Sequence, residues 1–342
     1  MRVLITGGAG FVGSNTADTL LKKGYEVTIL DNLSRKGTEK NLEWLKNNHK
    51  DLEFMKADVR DFDVMKSACM DKDLIFHLAA QVAVTTSIKN PKDDFDINAL
   101  GTFNVLEAAR LSKSNPIIVY SSTNKVYGNN VNLIPLKISN TRYEFDDPNF
   151  ENGVPETLST DANEHTPYGS SKYMADLYTR DFAAVYGMNT ISFRMSCVYG
   201  TRQFGNEDQG WIAHFVISSI LARPLIVFGD GKQVRDVLFI DDLLDALLLA
   251  TDNIKKTRGQ AYNIGGGINN TISLLELIDL LKKSIGKNIL YSFSDWRPFD
   301  QKVYISDIRK AKQDFGWEPK ISAEEGIKKL IGWVGENIDI IR

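Results

Sequence analysis

Met1-Arg-Val-Leu-Ile-Thr-Gly-Gly-Ala-Gly-Phe-Val-Gly-Ser14 opens the chain. Arg2 to Thr6 reads as a short, fully buried strand, because a β-branched apolar run stops at glycine. Gly7, Gly10 and Gly13 follow in a G-x-x-G-x-x-G spacing, and an amphipathic helix runs on through Ala17, Leu20 and Leu21 to Gly24. Gly7 permits the tight turn, Gly10 lets a pyrophosphate approach the backbone, and Gly13 lets the helix pack close to the strand. A glycine motif alone carries little weight. Here it sits between a strand and a helix, and a second strand, Glu26 to Leu30, ends in Asp31. A carboxylate there accepts hydrogen bonds from ribose hydroxyls and repels an added 2′-phosphate. The reading is therefore an NAD site. Arg35, four residues on, can accept a 2′-phosphate and keeps NADP as the alternative.

The rest of the N-terminal half extends that pattern. Asn32 to Gly37 is polar and lies against the adenosine in this reading, with Asn32, Ser34 and Arg35 as contacts. A helix is expected around Asn41 to Asn48, then a strand from Leu52 to Ala57 that ends in Asp58-Val59, placed to hold the adenine edge and face. Helix Phe62 to Met70 leads to strand Asp73 to His77 and the small-residue turn Leu78-Ala79-Ala80-Gln81, which leaves room for a cofactor or for close helix packing. A long helix is expected from Asp93 to Leu111, with Ile97, Leu100, Val105, Leu106 and Ala109 on its apolar side, and strand Ile117 to Ser121 follows Pro116. Strands alternating with helices imply an α/β fold of Rossmann type, a doubly wound parallel sheet. Asn129 to Glu164 shows no period and reads as a long functional or mobile loop.

Composition excludes several classes. At 342 residues the chain holds one large domain or two intimately packed ones. A net charge of −3 gives no footprint for nucleic acid, and no apolar run approaches the roughly 20 residues that span a membrane. The first residues enter a core strand directly, so no signal peptide is read. Cys69 and Cys197 form no motif, which fits a reducing cytoplasm, and His49, His77, His165 and His214 lack ligand spacing, so no metal is expected.

Tyr168-Gly-Ser-Ser-Lys172 opens a helix that continues through Met174, Leu177 and Tyr178. A spacing of four puts Tyr168 and Lys172 on one face, a turn apart. An ammonium beside a phenol favours phenolate, and a positively charged nicotinamide favours it further, so a group with an ordinary pKa near ~10 becomes a usable base. Alone, a Tyr-x-x-x-Lys arises often by chance. The strand ending in Tyr120-Ser121-Ser122-Thr123 adds hydroxyls at the carboxyl edge of the sheet, where open α/β folds bind ligands.

With these residues in place the chain resembles, over essentially its whole length, the extended short-chain dehydrogenases/reductases of the nucleotide-sugar epimerase and dehydratase group. The resemblance implies Tyr168 as acid/base, Lys172 as its electrostatic partner and nicotinamide-ribose ligand, and Thr123 as third hydrogen-bonding member. It extends the cofactor contacts to Phe11, Val12, Asn98, Ser121 and Met195. In Phe193-Arg194-Met195-Ser196-Cys197-Val198-Tyr199-Gly200, Ser196 and Cys197 are placed at the sugar. Phe228-Gly-Asp-Gly-Lys-Gln-Val-Arg-Asp236 is similar to the segment whose arginine, here Arg235, binds the nucleotide, and Gln233 is assigned to substrate with it. Arg297-Pro-Phe-Asp300 is similar to a diphosphate clamp formed by Arg297 and Asp300, with Phe299 where glycine is usual. Guanidinium forks suit such work because they pair bidentately with phosphate.

The resemblance also implies a division into residues 1–195 with about 234–264 as the cofactor domain, and 196–233 with 265–342 as a smaller, mainly helical substrate domain. Helices are expected there at Trp211 to Leu221, Leu274 to Ile285 and near Ala323 to Ile338. Relatives pair through helices like Asp93 to Leu111 and Tyr168 to Tyr186, so a homo-oligomer, dimer or tetramer, is expected.

Dehydratases of the group carry an acidic pair directly after the Ser/Thr, and this chain has Asn124-Lys125. Neither supplies the acid and base that eliminating water needs. Ser121 to Gly128, Arg202 to Gly205, Asp208 to Trp211, Gly231 to Asp236 and Thr141-Arg-Tyr143 most resemble the CDP-tyvelose (CDP-paratose) 2-epimerases, with Asn124 and Gln209 among the substrate contacts. The implied substrate is a CDP-linked 3,6-dideoxyhexose. A UDP-hexose 4-epimerase needs the same base and cofactor, and a non-catalytic NAD-binding sensor is the alternative from another class.

Overall fold

The computed structural model describes residues 1–341. Its centre is a seven-stranded parallel sheet. Chain order begins β1 (Arg2–Thr6), β2 (Glu26–Asp31), β3 (Glu53–Lys56), β4 (Leu74–His77) and β5 (Ile117–Thr123). Strands Asn189–Met195 and Ala261–Ile264 complete it, and the spatial order is Ala261–Ile264, Asn189–Met195, β5, β4, β1, β2, β3. Every pairing in it is parallel. The order reverses between β1 and β4, so the carboxyl ends of those strands open a crevice.

Two-residue periodicity divides the core between the sheet's faces. Val3, Ile5, Ile29, Phe76 and Ile191 point to one side, while Leu4, Leu30, Ile75 and Ile118 point to the other. Both faces are buried, which is why these strands read as apolar runs rather than as alternations. Helix α1 (Phe11–Lys22) packs against helix Ile240–Asp252 on one face, and helices Phe62–Cys69 and Gly101–Leu111 pack together on the other.

The expected long helix from Asp93 is interrupted. Pro91–Phe95 is α-helical, Asp96–Leu100 is a π turn, and Gly101–Leu111 resumes the α-helix. A Cβ on Gly101 would come within 2.7 Å of the Val59 side chain, so the widened turn ends where only glycine fits. The stretch read as a loop from Asn129 is also built. It continues 3₁₀ turns that run over Asn124–Leu133, forms a small hairpin of Leu136–Ile138 with Tyr143–Phe145, and contributes Val131, Ile134 and Val154 to a buried cluster with Val126, Tyr127 and Tyr304. Side chains substitute for periodicity there: Asn130 donates to the Ser159 and Asp161 carbonyls at 3.0 and 2.8 Å, and Arg142 grips Glu276.

A second sheet also escapes the sequence pattern. Val234–Phe239 pairs with Cys197–Tyr199 and Val303–Tyr304 in parallel and with Thr271–Ser273 antiparallel. These strands are two to six residues long, too short to show a period. Helices Trp211–Ile220 and Ala323–Glu336 pack beside it, and Leu274–Ile285 starts at a reciprocal capping box between Ser273 and Glu276.

Candidate active site

A cavity of about 840 Å³ runs from the glycine turn across the carboxyl edge of the sheet to the segment around Trp211. At its dinucleotide end the glycines are dictated by contact. Gly7 has φ +69°, and a Cβ there would lie 2.7 Å from the Ala79 nitrogen. On Gly13 a Cβ would sit 2.2 Å from the Gly7 carbonyl oxygen, so the turn and the first helical turn close on each other. The turn and α1 present Gly7, Gly10, Phe11, Val12 and Gly13 to the cavity.

Asp31 ends β2 as expected and lines the same space. Its Oδ2 accepts from the Ala9 N–H at 3.0 Å and its Oδ1 from the Leu33 N–H at 2.8 Å, so it also braces the glycine turn. Burial raises its pKa, and those backbone donors and Arg35 act against the rise. Asn32 donates to Asp58 Oδ2 at 2.8 Å, and hydrogen bonds from Arg60 are the main reason the Asp58 carboxyl falls to about 2. Asn32, Ser34, Arg35, Asp58 and Val59 line this end, while Leu78, Ala79, Ala80 and Gln81 form the adjoining wall. Asn98 does not reach the cavity. It is buried in the π turn, where it accepts from the Gln81 N–H at 2.9 Å and donates to the Gln81 carbonyl at 3.0 Å, so its effect is to hold that wall.

The catalytic candidates meet at the middle. Thr166 caps helix Pro167–Tyr186 by accepting from the Gly169 N–H at 3.1 Å, with Pro167 at the first position, and this seats Tyr168 in the first turn. The Tyr168 N–H donates to Ser87 Oγ at 3.1 Å, and its phenol lies beside Thr123 from the end of β5, whose hydroxyl donates to Asn124 Oδ1 at 3.3 Å. Lys172 is buried, donates to the Ser121 carbonyl, and lies 4.5 Å from the Tyr120 ring centroid. Ser121 itself donates to the His77 carbonyl at 3.0 Å. Ser121, Thr123, Tyr168, Lys172 and Met195 all line the cavity.

The protein's side chains by themselves set the following balance. Burial pushes Tyr168 up to about 12, with the Thr123 hydroxyl and Arg35 pulling the other way. Burial pulls Lys172 down to about 7, against attraction from Asp94 and Asp176. The physical reason is that desolvation outweighs a positive neighbour that is itself reluctant to stay charged. Burial thus favours the protonated phenol, and a positive charge placed beside it acts the other way.

At the far end Asn124, Ser196, Cys197 and Gln209 line the cavity, whereas Gln233, Arg235, Arg297 and Asp300 do not line it. Arg235 Nη2 donates to Asp300 Oδ1 at 2.6 Å, so two groups expected at substrate are bonded to each other. Gln233 is buried and donates to the Phe228 carbonyl at 2.6 Å. Arg297 stacks 4.1 Å over Phe228 and donates to the Glu207 carbonyl at 3.0 Å, tethering the segment that carries Gln209. Phe299 has φ +58°, so the chain takes the left-handed turn that glycine usually serves despite its side chain.

Sequence reasoning did not assign Ser122, Lys125, Arg202, Gln203, Phe204 and Trp211, all on the cavity wall. The position of Lys125, next to a strand end rich in hydroxyls, was an available signal. Arg202, Gln203 and Phe204 lay in a stretch with a family resemblance, but nothing local placed Arg202 over the Trp44 ring, 4.1 Å away and distant in sequence.

Comparison with known proteins gives a consistent answer. A family model described as GDP-mannose 4,6 dehydratase matches residues 4–330. The chain is 43% identical to a CDP-paratose 2-epimerase of Salmonella typhi over 97% of its length and 99% of the relative's. It is 34% identical to a putative UDP-glucose 4-epimerase of Methanocaldococcus jannaschii, covering 98% of this chain and 99% of that one. Among solved structures, UDP-glucose 4-epimerase of Thermotoga maritima with UDP-glucose superposes with a TM-score of 0.83 at 31% identity, over 99% of this chain and 100% of that one. UDP-glucuronic acid 4-epimerase of Bacillus cereus, in complex with UDP-glucuronic acid and NAD, gives 0.83 at 27% identity, over 98% and 99%. With a glycine turn, a Thr–Tyr–Lys set and one cavity joining them, the chain belongs to the GDP-mannose 4,6 dehydratase family, the extended short-chain dehydrogenases/reductases that include these nucleotide-sugar epimerases.

Proposed function

We propose that this enzyme is an NAD-dependent nucleotide-sugar epimerase that inverts C2 of a CDP-linked 3,6-dideoxyhexose, interconverting CDP-paratose and CDP-tyvelose. The observation that carries the reading is 43% identity to a CDP-paratose 2-epimerase across both whole chains, against 34% for the putative 4-epimerase. The cavity fits NAD by its own features: two glycine positions that a Cβ would block, and Asp31 at the end of β2. When bound, NAD would accept the C2 hydride, return it to the other face of the 2-keto sugar, and place a positive charge beside the Tyr168 phenol. Tyr168 then takes the proton of the C2 hydroxyl and later returns it, while Thr123, beside the phenol, orients the same hydroxyl. Lys172 is fixed next to that pair by its hydrogen bond to the Ser121 carbonyl. The 2-keto sugar turns to present its other face, and Arg235 and Arg297 hold the diphosphate after releasing Asp300 and Glu207.

The specific reason to keep a second reading is the TM-score of 0.83 to UDP-glucose 4-epimerase, since C4 epimerisation uses the same base. Incubation with CDP-, UDP-, GDP- and dTDP-sugars, scored by NMR, decides between them. C2 epimer from the CDP-dideoxyhexose, with a C2 deuterium label retained and none taken up from D₂O, is the expected result. Conversion of UDP-glucose to UDP-galactose with no action on the CDP sugar overturns it. We also place the protein in the cytoplasm, on the support of two unpaired cysteines, and as a homo-oligomer, on the support of apolar side chains exposed on helices Gly101–Leu111 and Pro167–Tyr186.

A further inference from the structure

We propose that Lys125 anchors the sugar-side phosphate of the substrate beside the reacting carbon. The inference rests on the nucleotide-sugar reading and adds a residue that neither the glycine turn nor the Thr–Tyr–Lys set includes.

Lys125 stands two residues beyond Thr123, and its side chain lies along the same cavity wall as Thr123 and Cys197. Its Nζ donates to Gln301 Oε1 at 3.2 Å, and that same oxygen takes a second donor, Asn124 Nδ2, at 3.2 Å. Gln301 is neutral and almost fully buried, so it gives the ammonium a hydrogen bond but no counter-charge. Asp300 is the carboxylate whose field Lys125 feels, and it is already engaged by Arg235 Nη2 at 2.6 Å and the Gln301 N–H at 3.0 Å. Among the described residues Lys125 makes no ion pair, and the buried Gln301 Nε2 beside it has no partner. Burial pulls the Lys125 pKa down to about 8; Arg235 pulls it further and Asp300 opposes. A cation in this condition gains most from an anion delivered with the substrate.

Covalent structure says which anion arrives there. In a glycosyl diphosphate, C2 is bonded to C1, the carbon whose oxygen carries the sugar-side phosphate, whereas C4 lies across the ring from it. A sugar with C2 at Tyr168 and Thr123 brings that phosphate to the neighbourhood of Thr123, where Lys125 stands. A sugar with C4 at Tyr168 carries its phosphate a ring-width away. Turning the 2-keto sugar about the bonds from C1 to phosphorus leaves the phosphate in place, so a cation holding it keeps C2 within reach of Tyr168 on both faces. Arg235 and Arg297 remain available for the rest of the diphosphate.

The test compares nucleoside diphosphates with monophosphates, because only the former carry the phosphate in question. Calorimetric titration of the protein as purified, with its cofactor, uses CDP, CMP, UDP and UMP on wild type, Lys125→Met, Lys125→Gln and Lys125→Arg. Removing the charge should weaken diphosphate binding about tenfold or more while monophosphate binding stays unchanged, and Lys125→Arg should retain most of the difference. Two neutral variants guard against one of them folding badly, and unchanged cofactor content serves as the folding control. An unaltered diphosphate-to-monophosphate ratio, or equal losses for both, overturns the role of Lys125. Wild type favouring UDP over CDP would sink the cytidine reading and leave the Lys125 ratio readable. Wild type binding none of the four overturns both.

Discussion

The phenol of Tyr168 and the ammonium of Lys172 illustrate how far a residue's chemistry depends on what surrounds it. Burial raises the phenol to about 12 and lowers the ammonium to about 7, so the surroundings work against the charged form of both. Substituting Tyr168→Phe removes one oxygen and leaves the ring's packing, the Thr166 cap and the glycine turn in place. Turnover should fall by at least ~10²-fold while cofactor content and the thermal unfolding midpoint stay near wild type. Steady-state rates and cofactor released on denaturation measure this, and a rate within a few-fold of wild type removes Tyr168 from its role.

At the scale of elements, the helix that carries Tyr168 and Lys172 is fastened to the sheet by a buried ion pair. Asp176, one turn past Lys172, takes Arg194 Nη2 at 3.2 Å and Ser192 Oγ at 2.6 Å from strand Asn189–Met195. Burial alone would raise the Asp176 carboxyl, but Arg194, Ser192 and Arg180 together hold it below the usual carboxylate range. Asp176→Ala leaves Arg194 buried without its counter-ion and should cost about 3–5 kcal/mol. A folded pKa below the unfolded value means that this stabilisation is present above ~4 and is lost as pH falls through the folded value. Urea titrations of wild type and Asp176→Ala should therefore show a wide gap at pH 7 that narrows on acidification. A constant gap would show that packing, not charge, fastens the helix.

At the scale of the whole molecule, some apolar side chains lie outside its own core. Phe103 and Tyr178 meet edge to face at 5.5 Å across two adjacent helices, and Tyr178, Val185 and Tyr186 remain well exposed. Apolar groups collected in this way are typical of surfaces that pair. Tyr178→Glu with Val185→Glu should convert a dimer or tetramer to monomer, read by light scattering coupled to size exclusion. A wild-type protein that is monomeric at micromolar concentration ends the idea.

Local sequence was enough for the parts whose rules are local. Glycines at Gly7, Gly10 and Gly13 after a β-branched run can serve few ends, and an acid at position 31 has one place to point, so the doubly wound sheet and its NAD end are readable from the chain alone. The four-residue spacing of Tyr168 and Lys172 likewise sets a helical face before any partner is known. Tertiary structure decided what depends on distant neighbours. It turned Asn98 away from the cavity through a π turn, coupled Arg235 to Asp300, and braced the stretch after Asn129 with side-chain hydrogen bonds that carry no period. It also set the ionisation of Tyr168, because desolvation is a property of everything packed around a group and of no residue by itself. Lys125 shows the division most plainly: its place in the chain is visible beside Thr123, but only the folded chain shows that it bonds neutral Gln301 while Asp300 is bonded to Arg235.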